Sequence, residues 1–184
     1  MRILGISGSL RRGSHNRRLL RAAGDALPPG AVLVEWDGLR DLPAFDEDLE
    51  STPPAPVQEL LDAIEEADGL LIATPEYNAS LPGALKNALD WASRPFPGNA
   101  LRAKPAAVIG ASTGLFGAVW AQAEVRKALK ASGAHVLESE LPVGMADAAF
   151  AEDGGLADPD LAARLEDLLS DLAREVASPV EQAA

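Results

Sequence analysis

Apolar positions along this chain form two kinds of run that alternate from one end to the other. Short, nearly continuous stretches occur at Ile3 to Ser7, Ala31 to Trp36, Gly69 to Thr74, Ala106 to Ser112, and His135 to Leu137 with a continuation toward Val143. They are too short for buried helices and predict strands covered on both faces. Between them, apolar residues recur every three or four positions, which predicts helices over Asn16 to Ala26, Val57 to Ala67, Leu81 to Ala92, Gly117 to Ser132 and Leu161 to Val176. The third carries Leu81, Leu85, Ala88 and Leu89 on one face, and the last a stripe of Leu161, Leu165, Leu168, Leu169 and Leu172. Strict β-α alternation calls for parallel strands joined by right-handed crossovers, which place helices on both faces. The predicted fold class is α/β, a doubly wound sandwich around a five-stranded parallel sheet.

One stretch breaks the rhythm. Gly38 to Ala55, with Leu42-Pro43-Ala44-Phe45 and Thr52-Pro53-Pro54, has no periodic pattern, and a loop of that length is expected to form a flap or a rim. No repeat or linker divides the chain, so residues 1–184 read as one domain, with a frayed tail expected after Ser178.

Composition narrows the chemistry. A chain of 184 residues, 47% hydrophobic and 24% charged, carries enough apolar surface for one full core. No segment approaches the roughly 20 apolar residues of a membrane span, and Met1 leads straight into the first strand, so a cytoplasmic protein without a leader is expected. The absence of cysteine excludes disulfides, thiolate nucleophiles and cysteine-ligated metals, and His15 and His135 stand apart, so no metal site is expected. Demanding chemistry must therefore be supplied by a cofactor. The net charge of −12 disfavours nucleic acid and anionic membranes as partners. The charge is nevertheless segregated: Arg2, Arg11, Arg12, Arg17, Arg18 and Arg21 occupy the first 24 residues with no acid among them. An anion is expected near that end.

Three strand-to-helix loops hold the candidate chemistry. After the first strand, Ser7-Gly8-Ser9-Leu10-Arg11-Arg12-Gly13-Ser14-His15-Asn16 places hydroxyls, glycines and arginines at a helix N-terminus, where free N–H groups and the helix dipole attract phosphate. Ser9, Ser14 and Asn16 are candidate donors, although Ser14 or Asn16 also suits a helix cap. Gly8 and Gly13 have P-loop spacing, but Ser14 stands where the lysine belongs, and no G-x-G-x-x-G is present, so a single terminal phosphate fits better than ATP or a pyrophosphate bridge. After the third strand, Thr74-Pro75-Glu76-Tyr77-Asn78-Ala79-Ser80-Leu81-Pro82-Gly83 presents backbone N–H groups beside the Tyr77 ring. After the fourth, Gly110-Ala111-Ser112-Thr113-Gly114-Leu115-Phe116-Gly117 has small residues that leave room for a planar group. In open α/β sheets these loops meet at the carboxyl edge, so phosphate at one loop and a ring between the others describe a mononucleotide.

Gly8-Ser9-Leu10-Arg11-Arg12-Gly13-Ser14-His15-Asn16, the run Pro75-Glu76-Tyr77-Asn78 through Asp90-Trp91, and Gly114-Leu115-Phe116-Gly117 with Ala121-Gln122 together resemble the NADPH-dependent FMN reductase family. The resemblance spans roughly residues 2 to 145. It implies a flavodoxin-like fold, FMN as cofactor, NADPH or NADH as hydride donor, and quinones, azo compounds, metal oxyanions or free flavin as acceptors in a ping-pong reaction. Carried over residue by residue, Ser9, Arg11, Ser14, His15 through its backbone, and Asn16 hold the phosphate. Pro75, Glu76, Tyr77 and Asn78 border the isoalloxazine, with Ser112, Thr113 and Gly114 on its other side. No side chain is a catalytic acid or base, and backbone donors of Tyr77, Asn78 and the third loop are expected to stabilise charge on the ring. The chain departs from the family at His15, where Phe or Tyr is common, and at Leu115-Phe116, where a Gly-Arg-type pair is frequent. A flavodoxin-like electron carrier is the rival reading. A homodimer or homotetramer is expected, with Leu85, Ala88, Leu89 and Trp91 as the face toward a second subunit.

Overall fold

A computed structural model describes residues 1–178, so the tail expected to fray after Ser178 lies outside the described residues. The strands are β1 (Arg2–Ser7), β2 (Val32–Trp36), β3 (Gly69–Ala73), β4 (Pro105–Ala111) and β5 (His135–Val143). The helices are α1 (His15–Asp25), α2 (Ala55–Glu65), α3 (Gly83–Ala92), α4 (Val119–Ala131) and α5 (Pro159–Ala177). All strand pairs are parallel, in the order β2-β1-β3-β4-β5. This is the expected doubly wound, flavodoxin-like order, with the winding reversal between β1 and β3.

The central strand explains why the sandwich has two cores. Side chains alternate across a strand, and every residue of β3 is buried. Leu70 and Ile72 join Leu60 and Ile64 of α2, Leu85 and Leu89 of α3, and Val125 and Leu129 of α4. Leu71 and Ala73 point the other way, into Leu19 and Leu20 of α1 and the stripe Leu165, Leu168, Leu169 and Leu172 of α5. Burying one such leucine is worth about 1.5–3 kcal/mol, and a one-residue slip would exchange the two sets between cores of different shape, so the register is firmly set. Leu85, Ala88, Leu89 and Trp91 are all buried inside the chain's own fold, which corrects their assignment to a subunit interface. Helical spacing identified an inward face, and α2, α4 and the 38–55 segment cover it.

Helix starts shift where the backbone forbids the expected ones. Pro82 is extended (φ −60°, ψ 139°) and serves as N-cap, so α3 begins at Gly83 rather than Leu81. Gly117 and Ala118 are both left-handed (φ 57° and 60°), which delays α4 from Gly117 to Val119. Asp158 accepts from the Asp160 N–H and Pro159 occupies the first turn, extending α5 ahead of Leu161.

The 38–55 segment is a rim rather than a flap. It contains short 3₁₀ turns at Gly38–Arg40 and Glu47–Leu49. Its middle is fastened to α3: Asn87 Nδ2 and Trp91 Nε1 both donate to the Pro43 carbonyl (2.8 and 2.9 Å), and the Phe45 N–H donates to Asn87 Oδ1 (2.8 Å). Phe45 packs edge-on against Trp91, and Arg94 pairs with Glu50 at 2.8 Å. Arg40 reaches the other way and donates to the Leu10 carbonyl at 2.8 Å, tying this rim to the loop after β1.

At the far side β5 forms a sheet edge, and a register irregularity falls between its pairings with Ala106 and Val108. Among the described residues no helix is long and apolar enough to cross a membrane. Parallel strands bring the loops after β1, β3 and β4 to one end of the sheet, beside the winding reversal.

Candidate functional site

The loop after β1 is a buried polar turn. The Gly8 N–H donates to the Ala73 carbonyl of β3 at 2.8 Å, and a Cβ on Gly8 would stand 2.9 Å from Leu85 Cδ2 and 3.2 Å from Pro75 Cδ, so glycine lets this loop meet the loop after β3. Ser7, Ser9, Ser14 and Asn16 are buried. Ser7 Oγ accepts from Ser9 N and Ser9 Oγ from Arg11 N, while Ser14 caps α1 by accepting from Arg17 N at 3.2 Å. The Ser14 hydroxyl proton remains available. So do the first-turn N–H groups of His15 and Asn16, which precede the helical bond from Arg18 N to Ser14 O.

Asn16 differs from its sequence reading. Its Nδ2 donates to the Ala111 carbonyl at 2.9 Å and its Oδ1 accepts from the Ala111 N–H at 2.8 Å. The side-chain amide thus completes the hydrogen bonding at the end of β4 and clamps α1 to it. What Asn16 offers an anion is its backbone N–H.

The loop after β3 is a tight two-residue turn. Tyr77 N–H donates to Ser80 O and Ser80 N–H to Tyr77 O (3.0 and 3.1 Å), with Asn78 and Ala79 both left-handed (φ 54° and 59°), as in primed hairpin turns. Tyr77 N–H is therefore engaged, which corrects its expected role as a free donor. The available N–H is that of Asn78, while the Tyr77 ring is half exposed.

Carboxylates hold this turn against α4. Ala118, the N-cap of α4, makes no side-chain cap, and Glu76 supplies one from the neighbouring loop by accepting from Trp120 N and Ala121 N, both at 3.1 Å. The negative charge also complements the helix dipole. From α4, Glu124 accepts from the Ser80 hydroxyl and from Leu81 N (3.2 Å). The Ser80 hydroxyl, then the Leu81 N–H, hold the Glu124 carboxyl below its ordinary range. Glu76, expected beside the ring, lines the cleft but turns its carboxylate to the helix.

A fourth segment, missed in the sequence, closes the third loop from behind. Ser112 N–H donates to Val143 O, Met145 N–H to Gly114 O and Ala146 N–H to Ser112 O, all at 3.0 Å. A Cβ on Gly144 would lie 2.3 Å from Leu115 O, and one on left-handed Gly117 would lie 2.4 Å from the Pro142 carbonyl carbon. Both close approaches demand glycine, and Gly117 and Gly144 are the sequence signals for this contact. Gly114 N–H donates to Ser112 Oγ at 3.1 Å, so Thr113 is the residue between them with a free N–H. Farther along, Asp147 Oδ1 lies 3.1 Å from His15 Nε2 without hydrogen-bond alignment, Phe150 stacks on the His15 ring, and Arg18 covers Phe150.

Together the loops enclose a cleft of about 200 Å³ lined by Ser9, Arg11, His15, Asn16, Pro75, Glu76, Tyr77, Ala111, Ser112 and Thr113. Ser14, Asn78 and Gly114 flank the lining, and Ala111 is the member that sequence reasoning did not supply. The donor set suits a phosphorylated planar ligand: N–H groups, a hydroxyl and a guanidinium at one end, a slot between Pro75-Tyr77 and Ser112-Thr113 at the other.

Known proteins similar to this chain fall in one family. The family model described as NADPH-dependent FMN reductase matches residues 1–148. The chain is 44% identical over 161 residues to an NAD(P)H-dependent FMN reductase of Pseudomonas aeruginosa, covering 86% of this chain and 85% of that one. It is 43% identical over 126 residues to a 2-hydroxy-1,4-benzoquinone reductase of Burkholderia, covering 68% of each. Among solved structures, the flavoenzyme NAD(P)H:(acceptor) oxidoreductase FerB of Paracoccus denitrificans superposes with a TM-score of 0.84 at 34% identity, covering 96% of this chain and 97% of that one. With the cleft at the β1/β3 reversal and relatives of this kind along most of its length, the chain belongs to the NADPH-dependent FMN reductase family and is an FMN-dependent oxidoreductase.

Proposed function

We propose that this protein takes hydride from NAD(P)H and passes electrons to a small acceptor, a quinone first, with azo compounds, metal oxyanions and free flavin as further acceptors. The observation that carries the reading is the single cleft with anion donors at one end and a planar slot at the other. Ser9, Arg11, the Ser14 hydroxyl and the N–H groups of His15 and Asn16 hold the FMN phosphate. Pro75, Glu76, Tyr77 and Asn78 border one side of the ring, and Ser112, Thr113 and Gly114 the other. Bound FMN supplies hydride acceptance and electron release. The protein's part is alignment, with the Asn78 and Thr113 N–H groups facing developing negative charge.

One slot serves two planar substrates, so they use it in turn. Parallel double-reciprocal lines with NADPH and a quinone are the expected pattern, and intersecting lines would reject alternation. The direct experiment is anaerobic titration of the FMN-loaded protein with NADPH and then with quinone, followed by the visible spectrum. Bleaching and recovery establish both half-reactions, whereas flavin that stays oxidised under NADPH and NADH returns the protein to the carrier reading.

A homo-oligomer belongs to the same proposal. Leu115, Phe116 and Met145 are 60% or more exposed beside the cleft, with Phe116 edge-on to half-exposed Trp120, and grouped apolar exposure of this kind favours a protein contact. Sedimentation of wild type against Phe116→Ser tests it: a monomer in both cases sinks the assignment.

A further inference from the structure

Beyond the flavin cleft, a second cleft of about 520 Å³ opens at the outer side of the loop after β1, lined by Arg11, Arg12, Arg17 and Arg40 together with Asp37 and Asp41. Arg11 lines both clefts. Four guanidinium groups converge here in a chain whose net charge is −12. Among the described residues Arg2, Arg21, Arg94, Arg126 and Arg174 stand in ion pairs, while Arg18, Arg102 and Arg164 stand apart from one another without any; these four also have none, although two aspartates share their cleft. Arg17 Nε is buried with no hydrogen-bond partner. Arg40 is held in place by its donation to Leu10 O, which fixes the rim segment against the loop.

A set of unpaired guanidiniums held by a firm backbone is suited to a phosphate monoester, whose terminal oxygens accept paired N–H donors. Asp37 and Asp41 suit hydroxyl or amino donors on the same ligand. They also repel an extended polyanion, as does the net charge, so a nucleotide fits and a nucleic acid does not. Because Arg11 belongs to both clefts, this cleft adjoins the phosphate end of the first, and a ligand must have the length of a dinucleotide to span from the ring slot to it.

We infer that this second cleft holds the adenosine 2′-phosphate of NADPH, making Arg12, Arg17 and Arg40 the residues that separate NADPH from NADH. The inference rests on the proposed use of NAD(P)H at the neighbouring slot. Calorimetric titration of the FMN-loaded protein with adenosine 2′,5′-bisphosphate and with 5′-AMP reads it without turnover. The bisphosphate should bind at least about tenfold tighter, Arg12→Ser and Arg17→Ser should each remove about tenfold of its affinity, and Arg12→Lys should recover only part. FMN affinity should stay unchanged in all three variants. Equal binding of the two nucleotides by the wild type would overturn the inference. So would a parallel loss of FMN affinity, which would give the arginines to the flavin phosphate. A bisphosphate preference that persists while neither NADPH nor NADH bleaches the flavin would support the phosphate site and remove the hydride reading alone.

Discussion

The loops after β1 and β3 face each other across one cleft but are held in opposite ways. The first is held from within: its serines are buried, each hydroxyl bonds to a backbone N–H two or three residues on, and Asn16 anchors it to the buried end of β4. The second is held from outside, by Glu76 reaching to α4 and Glu124 reaching back from it, both near solvent. Rigidity on the phosphate side preorganises the N–H donors at no cost on binding. The ring side is held by charged contacts at the surface, the weaker and more adjustable kind.

Asn16→Ala is the hardest test of that contrast. It strands the buried N–H and carbonyl of Ala111, which should cost about 2–5 kcal/mol in urea unfolding and abolish FMN retention. A loss below about 1 kcal/mol would mean the clamp is not what holds the first loop. Next come two caps of similar strength: Ser14→Ala and Glu76→Ala should each cost about 1 kcal/mol. Only Ser14→Ala should weaken FMN more than riboflavin, and a matching discrimination in Glu76→Ala would erase the distinction between the loops. Tyr77→Ala should leave stability within about 0.5 kcal/mol yet lower FMN and riboflavin affinity equally, by about 0.5–1.5 kcal/mol. Unchanged affinity would remove Tyr77 from the ring site.

The smallest effect is a pH response confined to the second loop. Glu124 has its folded pKa depressed, so its hold on Ser80 and Leu81 is complete above the ordinary carboxylate range and is lost as pH falls through the lowered folded value. The chain has one tyrosine, and the Tyr77 ring resonances should shift across that acidic window in wild type but not in Glu124→Gln. Identical titrations would show that Glu124 does not order the turn.

The sequence carried the architecture because local periodicity and global packing agree in most of it: the apolar runs of β1, β3 and β4 became strands buried on both faces, the edge strands β2 and β5 are only partly covered, and the leucine stripe of α5 lies where its spacing placed it. All ten cleft residues fall in the three loops that composition singled out, and the family resemblance named nine of them, leaving out Ala111. What it did not disclose is which polar groups are already engaged. Asn16 meets Ala111 across 95 positions and Glu76 meets Ala121 across 45, and no local pattern encodes such pairs. The Tyr77 turn escaped notice because Asn78-Ala79 lacks the glycine that usually marks two left-handed residues. The face of α3 was misassigned for a related reason: an amphipathic stripe shows that it is covered, not by which chain.

The edge strand β5 bears on aggregation. A nine-residue strand paired on one side only is long enough to template growth of a sheet by another chain. Here Pro142 lacks an N–H near its end, and Glu138 and Glu140 bring charge to its middle, paired with Lys130 and Arg126 of α4. A second copy approaching edge to edge would meet carboxylates and a missing donor, so fibril-like stacking is opposed at the sheet margin.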